Sequence, residues 1–386
     1  MSIIKNFLSL CFLLVILHSC NGNKQRFDGD TLAINFKLEQ SSICSDILET
    51  VFIKLETNED CFIDKTITQL EFAADKLFIL SGGVRDVFVF DLSGRFIAKI
   101  GAKGRGPGEY IVPSSFSIDY QRNIISILDM VQKKIINYDL DDFSFVFDEN
   151  MNYDSSCFEY LDENKLVWKN INYLSVYPNW EFIITDMDQN FLNKAVEKKI
   201  ITGYSTGRLK TMYKRDNMVF VYSQYDPQIY CLQNEDIIPI YNLAFNEHSF
   251  PPVEYLQKIS ANNNADFIPE LIASDYIYSC SIFDVGQTFC VFYSVSETPY
   301  IGIYDKEANR TYNYDLITFQ DDLQIGRIDQ IAGVTDKYVA AVLHPFDLLN
   351  KKTEGYLFSH DLQPLVSESR SEDNPILCLF RIKTTR

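Results

Sequence analysis

Val87 to Ile97 reads VFVFDLSGRFI, an apolar strand that stops at Asp91, a Ser-Gly turn, and a second apolar strand. The same landmark returns as IINYDLDDFSFVF (135–147), FIITDMDQNFL (182–192), IYCLQNEDIIPIY (229–241), IGIYDKEANRTYNY (301–314) and YLFSHDLQPLV (356–366). With Asp91, Asp139, Asp186, Leu232, Asp305 and Asp361 as equivalent positions, the steps are 48, 47, 46, 73 and 56 residues. Between the landmarks lie further β-rich runs bounded by turn clusters. The long step contains an insertion at about 251–274 (PPVEYLQKISANNNADFIPELIAS), the one segment with helical spacing.

A period near 47 residues with some four strands per copy predicts a β-propeller blade, because helical repeats of similar period need amphipathic helices. One four-stranded sheet cannot hide both faces, whereas blades stacked in a ring bury them against their neighbours. The 29 Phe and 23 Tyr supply large side chains for the wedges between blades. Six landmarks therefore predict an all-β, six-bladed propeller of four-stranded antiparallel blades over residues 45–386. Val51 to Leu55 and Ile376 to Ile382 are apolar strands with no partner in their own unit, and the ring is expected to close through these N- and C-terminal strands.

Composition excludes some functions. Of 386 residues, 53 are acidic and 35 basic, a formal charge of −18, and no basic cluster is present to release counterions from a phosphate backbone, which argues against nucleic acid. Four His leave little material for a His-based metal site or triad. Neither cofactor nor metal is expected from the sequence: no G-x-S-x-G, H-E-x-x-H or calcium-loop pattern occurs. Asp119 and Asp129, near strand ends, are the acids that could reach a cation in the channel.

The segments Leu55-Glu56-Thr57, FDLSGRFIAKIGAKGRGPGEY (90–110) and Asp373-Asn374-Pro375-Ile376 resemble the six-bladed, NHL-like propeller lipoproteins of Bacteroidota. Gly-x-Gly-Pro-Gly-Glu-Tyr at 104–110 is the specific element, and the resemblance runs over roughly 50–383. It implies a fold and an envelope location and carries over no catalytic residue. Consistent with that address, Lys5 and the apolar stretch Phe7 to Leu17 read as a signal peptide over 1–19, and Leu17-His18-Ser19-Cys20 resembles a lipobox in which Cys20 is lipidated. The expected product is an outer-membrane lipoprotein, anchored to the membrane through Cys20, with a polar tether over 20–44. Of the other seven Cys beyond Cys20, most sit among apolar neighbours and read as buried thiols; Cys280 and Cys290 flank a turn and could pair.

The glycines of 101–108 invite an anion-loop reading, but no G-x-x-x-x-G-K-[ST] or following helix is present, and a crossover between blades accounts for them. In a propeller such crossovers share one rim with the loops joining second to third strands, here assigned to 81–86, 129–134, 168–180, 223–226, 294–298 and 344–352. The blade-three loop holds both Trp of the protein, so Trp168, Tyr173, Tyr177 and Trp180 are candidate ligand anchors, with Arg85, Asp226 and His344 as polar contributors. Trp168 and Trp180 could equally end strands and pack between blades. The opposite rim, served by short turns such as Tyr120 to Asn123, offers little recognition surface. The expected function is an envelope-anchored binding or scaffold module for a glycan, peptide or protein partner. A propeller hydrolase or lyase with a divalent metal in the central channel is the alternative.

Overall fold

The computed structural model describes residues 31–38, 44–64, 66–171, 175–200, 210–215, 218–233, 235–261, 266–335 and 337–383. Thr31–Arg386 forms one compact unit. The signal peptide over 1–19, Cys20 and the start of the tether lie outside the described residues, as does Tyr173.

Six blades follow one another around a ring. Their inner strands are Ile67–Ala73, Pro113–Asp119, Ser155–Asp162, Met212–Arg215, Ser279–Val285 and Gln330–Val334. In blades one to five the chain then steps outward through three antiparallel strands, as in Ile124–Asp129, Lys134–Asp139 and Phe145–Asn150 of blade two. Blade six takes its second and third strands from Val339–Leu343 and Ile376–Ile382, and its outermost strand, Leu48–Lys54, from the other end of the chain. The expected closure by terminal strands is thus realised within a single blade, where Leu48 pairs with Ile382 and Lys54 with Ile376.

Apolar layers between neighbouring sheets hold the ring. Phe78, Leu80 and Val89 of blade one meet Phe116, Ile127 and Tyr138 of blade two, and Val167, Phe182 and Ile184 of blade three meet Val219, Val221 and Leu232 of blade four. Each such side chain contributes roughly 1.5–3 kcal/mol by leaving water, whereas the exposed ion pairs of the rims contribute at most about 1 kcal/mol each. The repeated Asp serves the turn after the third strand. Asp91 Oδ1 accepts from Ser93 N (2.9 Å), Ser93 Oγ (2.6 Å) and Arg95 N (3.0 Å), and Asp139, Asp186 and Asp305 accept from the corresponding turn amides. The hydrogen bonds from Ser93 and Arg95 hold the Asp91 carboxyl below its usual range, against a small opposing effect of burial.

Three expectations need correction. The landmark at 356–366 is no strand pair: its second half begins the helix Leu362–Ser367, and a helix-rich excursion joins the second and third strands of blade six. Its apolar residues, Leu348, Phe358, Leu362 and Val366, pack on the layer between blades five and six, so spacing alone mimicked a strand. Helices also form outside the insertion, as Leu316–Leu323, capped by Asp315 accepting from Thr318 N (2.9 Å), and as Pro345–Thr353. Finally, the tether expected over 20–44 is interrupted: Leu32–Phe36 joins blade four as a fifth strand, parallel to Asp236–Phe245. Phe36 stacks on Phe245 at 5.3 Å, and a Cβ on Gly302 of blade five would come within 2.8 Å of the Phe36 ring. Within the insertion, Val253–Ala261 and Phe267–Ile272 are helical.

Candidate functional sites at the two mouths of the ring

The crossover rim carries the loops singled out above. The glycine-rich segment is a crossover between blades one and two: Gly104 N donates to Tyr110 O (3.0 Å), Gly106 N to Glu109 Oε2 (2.8 Å) and Tyr110 Oη to Ile100 O (2.9 Å). Gly101 sits at φ +70°, where a Cβ would lie 2.3 Å from Tyr138 Oη, so glycine is demanded by both backbone and neighbour. Asp129 stabilises the same crossover. It accepts from Val131 N (2.9 Å), Gln132 N (3.1 Å), Gln132 Nε2 (3.0 Å) and Ile111 N, which hold its carboxyl low although burial alone would raise it. Asp119 likewise accepts from Gln121 N (2.9 Å) and Arg122 N (3.2 Å).

The aromatic anchors separate. Trp168 is fully buried, stacks on Phe158 at 5.3 Å and donates its indole N–H to Thr185 Oγ1 (2.9 Å), so it belongs to the layer between blades two and three. Trp168→Ala is expected to lower stability by about 3–5 kcal/mol, read from urea unfolding, without a direct effect on any rim ligand. Tyr177 and Trp180 are half-buried at the rim: Tyr177 stacks on Phe191 at 4.5 Å, and Lys194 Nζ lies 4.4 Å from the Trp180 ring. Asn170 Nδ2 fixes their loop by donating to Tyr177 O (2.7 Å) and Trp180 O (2.9 Å). Lys198 N donates to Asn179 O (2.8 Å), and the next residue, Lys199, pairs with Asp226 at 3.2 Å.

That pair stands beside a cavity of about 420 Å³ lined by Lys199, Tyr225, Pro227, Phe245, His248 and Phe250 among others. The insertion supplies one wall through Pro251, Pro252 and Val253. His248 Nε2 is shielded and has no hydrogen-bond partner among the described residues, and burial pushes the imidazole pKa down, against smaller opposing effects from Glu247 and Asp275. Arg85 and His344 belong to blades one and six, across the ring from this sector. Arg85 adopts φ +55° and its carbonyl accepts from Lys103 Nζ; His344 caps the helix Pro345–Thr353, and its N–H donates to Asp329 Oδ2 (3.3 Å). The sequence flagged the insertion and Asp226 but not the wall. The Ser249-Phe250-Pro251-Pro252 step into a helix was the available signal.

The second cavity, of about 430 Å³, occupies the central channel, lined by residues of all six blades. Ala74, Tyr120 and Thr335, at the ends of inner strands, bring it to the opposite rim, where the sequence suggested little recognition surface. Lys210 Nζ lies between Glu71 Oε1 (2.6 Å) and Glu159 Oε1 (2.5 Å), and Ser117 Oγ donates to Glu159 Oε2 (2.7 Å). Burial and the neighbouring Glu159 push the Glu71 carboxyl up despite Lys210, while the two acids keep Lys210 protonated against its own desolvation. In blades four and five, Asp284 is fully buried and paired with both Arg215 and Lys306, and Tyr213 Oη donates to it (3.3 Å). Among the described residues, no group of three His, Cys, Asp or Glu side chains is placed to hold a metal ion. The seven described thiols are free and buried; burial lifts Cys157 to about 11 and Cys280 to about 12.

Ring, blades and two mouths define a six-bladed β-propeller. The chain belongs to the DUF5128 family, "6-bladed beta-propeller", whose profile matches residues 22–341. Among solved structures it is 33% identical to a Bacteroides fragilis protein described as a "putative exported protein", with a TM-score of 0.88 over 91% of this chain and 100% of that one. A member of the duf4221 family from Bacteroides vulgatus shares the fold at 9% identity, with a TM-score of 0.51 over 88% of this chain and 99% of that one. No curated protein matches the chain in sequence.

Proposed function

We propose that this protein is an extracytoplasmic binding module, anchored to the outer membrane by lipid on Cys20, that holds a polypeptide partner on its crossover rim. The observation that carries the reading is the cavity of about 420 Å³ between blade four and the insertion, with Phe245, Phe250, Tyr225 and three prolines for an apolar side chain and the Lys199–Asp226 pair at its edge for backbone polar groups. Its volume falls within the roughly 300–1,000 Å³ of small-ligand sites, enough for the anchor residues of a peptide. The exported description of the Bacteroides fragilis relative and the lipobox-like Leu17-His18-Ser19-Cys20 support the location.

Peptide and glycan arrays probed with wild type, Phe250→Ala and Trp180→Ala test the reading. A peptide ligand is expected, with Phe250→Ala weakening it about 10- to 100-fold, the value of one buried aromatic side chain. Hits confined to glycans, or a peptide indifferent to Phe250→Ala, would overturn it. Cys20→Ala is expected to move the protein from the membrane to the soluble fraction; unchanged fractionation would overturn the anchor.

A further inference from the structure

One side of the central channel carries hydrogen-bonding groups that the protein leaves unused. Lys210 Nζ lies 2.6 Å from Glu71 Oε1 and 2.5 Å from Glu159 Oε1. Glu71 Oε1 also accepts from Gln69 Nε2 (2.5 Å), and Glu159 Oε2 from Ser117 Oγ (2.7 Å). Glu71 Oε2 has no hydrogen-bond partner among the described residues, and the two acids occupy only two of the three N–H donors of the Lys210 ammonium. Glu71 and Lys210 line the cavity of about 430 Å³ and keep 27% and 22% of their side-chain surface accessible, whereas Glu159 keeps 3%.

The cavity wall thus presents an open acceptor beside an open donor, because Lys210 holds the other oxygen of the same Glu71 carboxyl. A hydroxyl both donates and accepts, so two neighbouring hydroxyls of one molecule fit the pair, one donating to Glu71 Oε2 and the other accepting from Lys210. Ionic groups fit worse: a carboxylate placed here meets Glu71, and an ammonium meets Lys210. Tyr120, 54% exposed, lines the same cavity within electrostatic reach of Glu71 and Glu159 and adds a flat ring for stacking.

We propose that the channel cavity binds a neutral sugar, with adjacent hydroxyls held by Glu71 Oε2 and Lys210 Nζ and the ring face laid on Tyr120. A free monosaccharide and the terminal residue of a glycan share this chemistry. The site is separate from the rim cavity and does not depend on the function proposed for it.

The test is calorimetric titration of the full mature protein with glucose, galactose, mannose, fucose, xylose and N-acetylglucosamine, their methyl glycosides, and lactose, cellobiose and chitobiose. At least one of these sugars is expected to bind. In the deoxy series of the best sugar, removal of a hydroxyl should weaken binding at least tenfold at two adjacent positions, since a site built around a hydroxyl rejects the analogue lacking it. Methyl glycosides and disaccharides binding as well as the free sugar would assign the site to a glycan end; binding of the free sugar alone would assign it to a monosaccharide. Glu71→Ala and Tyr120→Ala should each weaken the best sugar about tenfold or more. Glu71→Ala leaves Lys210 on Glu159 and Gln69 Nε2 on Phe116 O (2.7 Å), so the ring stands, which an unchanged urea midpoint checks; Tyr120→Ala removes a side chain already half in solvent. Phe250→Ala, at the other cavity, should leave sugar affinity unaltered, and Glu71→Ala should leave peptide affinity unaltered, so the two sites fail or stand separately. Absence of binding by every sugar at tens of millimolar concentration, deoxy losses at no two adjacent positions, or an affinity indifferent to either Glu71→Ala or Tyr120→Ala would overturn the proposal.

Discussion

Gly333→Ala is expected to lower the stability of the ring by about 3 kcal/mol or more, the upper range for overpacking a close-packed site. The inner strands of blades six and one are hydrogen-bonded to each other in parallel, Gly333 opposite Leu70 and Val334 opposite Glu71, so the first and last blades form one eight-stranded sheet. A Cβ at Gly333 would stand 2.1 Å from Leu70 O and 3.0 Å from its carbonyl carbon. Those are backbone atoms in a paired strand and cannot swing aside as a side-chain tip could. The substitution must part the two strands at the seam. The measurement is urea unfolding, with a lower midpoint at unchanged slope. Gly286→Ala is the control: Gly286 lies in a turn at φ +52° with nothing within 4 Å of a Cβ, so its loss should cost only about 1–2 kcal/mol of left-handed strain. Equal effects of the two substitutions would mean that the seam has no special weight.

Asn374→Ala should cost about 2–4 kcal/mol, because one buried amide satisfies three backbone groups of the N-terminal loop. Asn374 is completely buried; its Nδ2 donates to Glu56 O (2.6 Å) and Cys61 O (3.0 Å), and its Oδ1 accepts from Ile63 N (2.7 Å). Its own N–H donates to Thr57 Oγ1 (2.7 Å), and Lys54 pairs with the adjacent Asp373 at 3.1 Å. Alanine removes all three bonds and takes from the Ile63 N–H its acceptor where blade six is closed by the N-terminal strand. Asn374→Asp should be no better, since its second oxygen would face the carbonyls of Glu56 and Cys61. Urea midpoints and the rate of proteolysis within 55–63 measure both; a variant as stable as wild type with an intact loop would show that the closure rests on strand pairing alone.

Much of the architecture was legible because the propeller repeats a local pattern. Asp91, Asp139, Asp186 and Asp305 mark third strands since a carboxylate there accepts from the amides of the following turn, a purely local requirement. The reading failed at Asp361, where Tyr356-Leu357-Phe358 followed by a polar cluster has the right residue types; the partners of Phe358 and Leu362 lie in the layer between blades five and six, not within their own unit. Leu32–Phe36 was missed for a related reason. Its pairing partner, Asp236–Phe245, is some two hundred residues away, and a five-residue strand has no signal of its own against a polar flank.

Local chemistry in the amino-acid order settled the landmarks of blades one to five, the antiparallel hairpins, the crossover glycines and the need for terminal strands to close the ring, since turns and alternating burial are written within a few residues. The segment Asp373-Asn374-Pro375-Ile376 counted in the sequence only toward a resemblance, and the work of Asn374 in joining Glu56, Cys61 and Ile63 appears only once the termini meet. The placement of Trp168 in the core, with Trp180 left at the rim, and the gathering of Glu71, Glu159, Lys210, Arg215 and Asp284 around one axis were decided by tertiary structure. The physical reason is that charge complementarity and access depend on distances between strands of different blades. Those distances are fixed by the packing of the apolar layers and not by spacing along the chain.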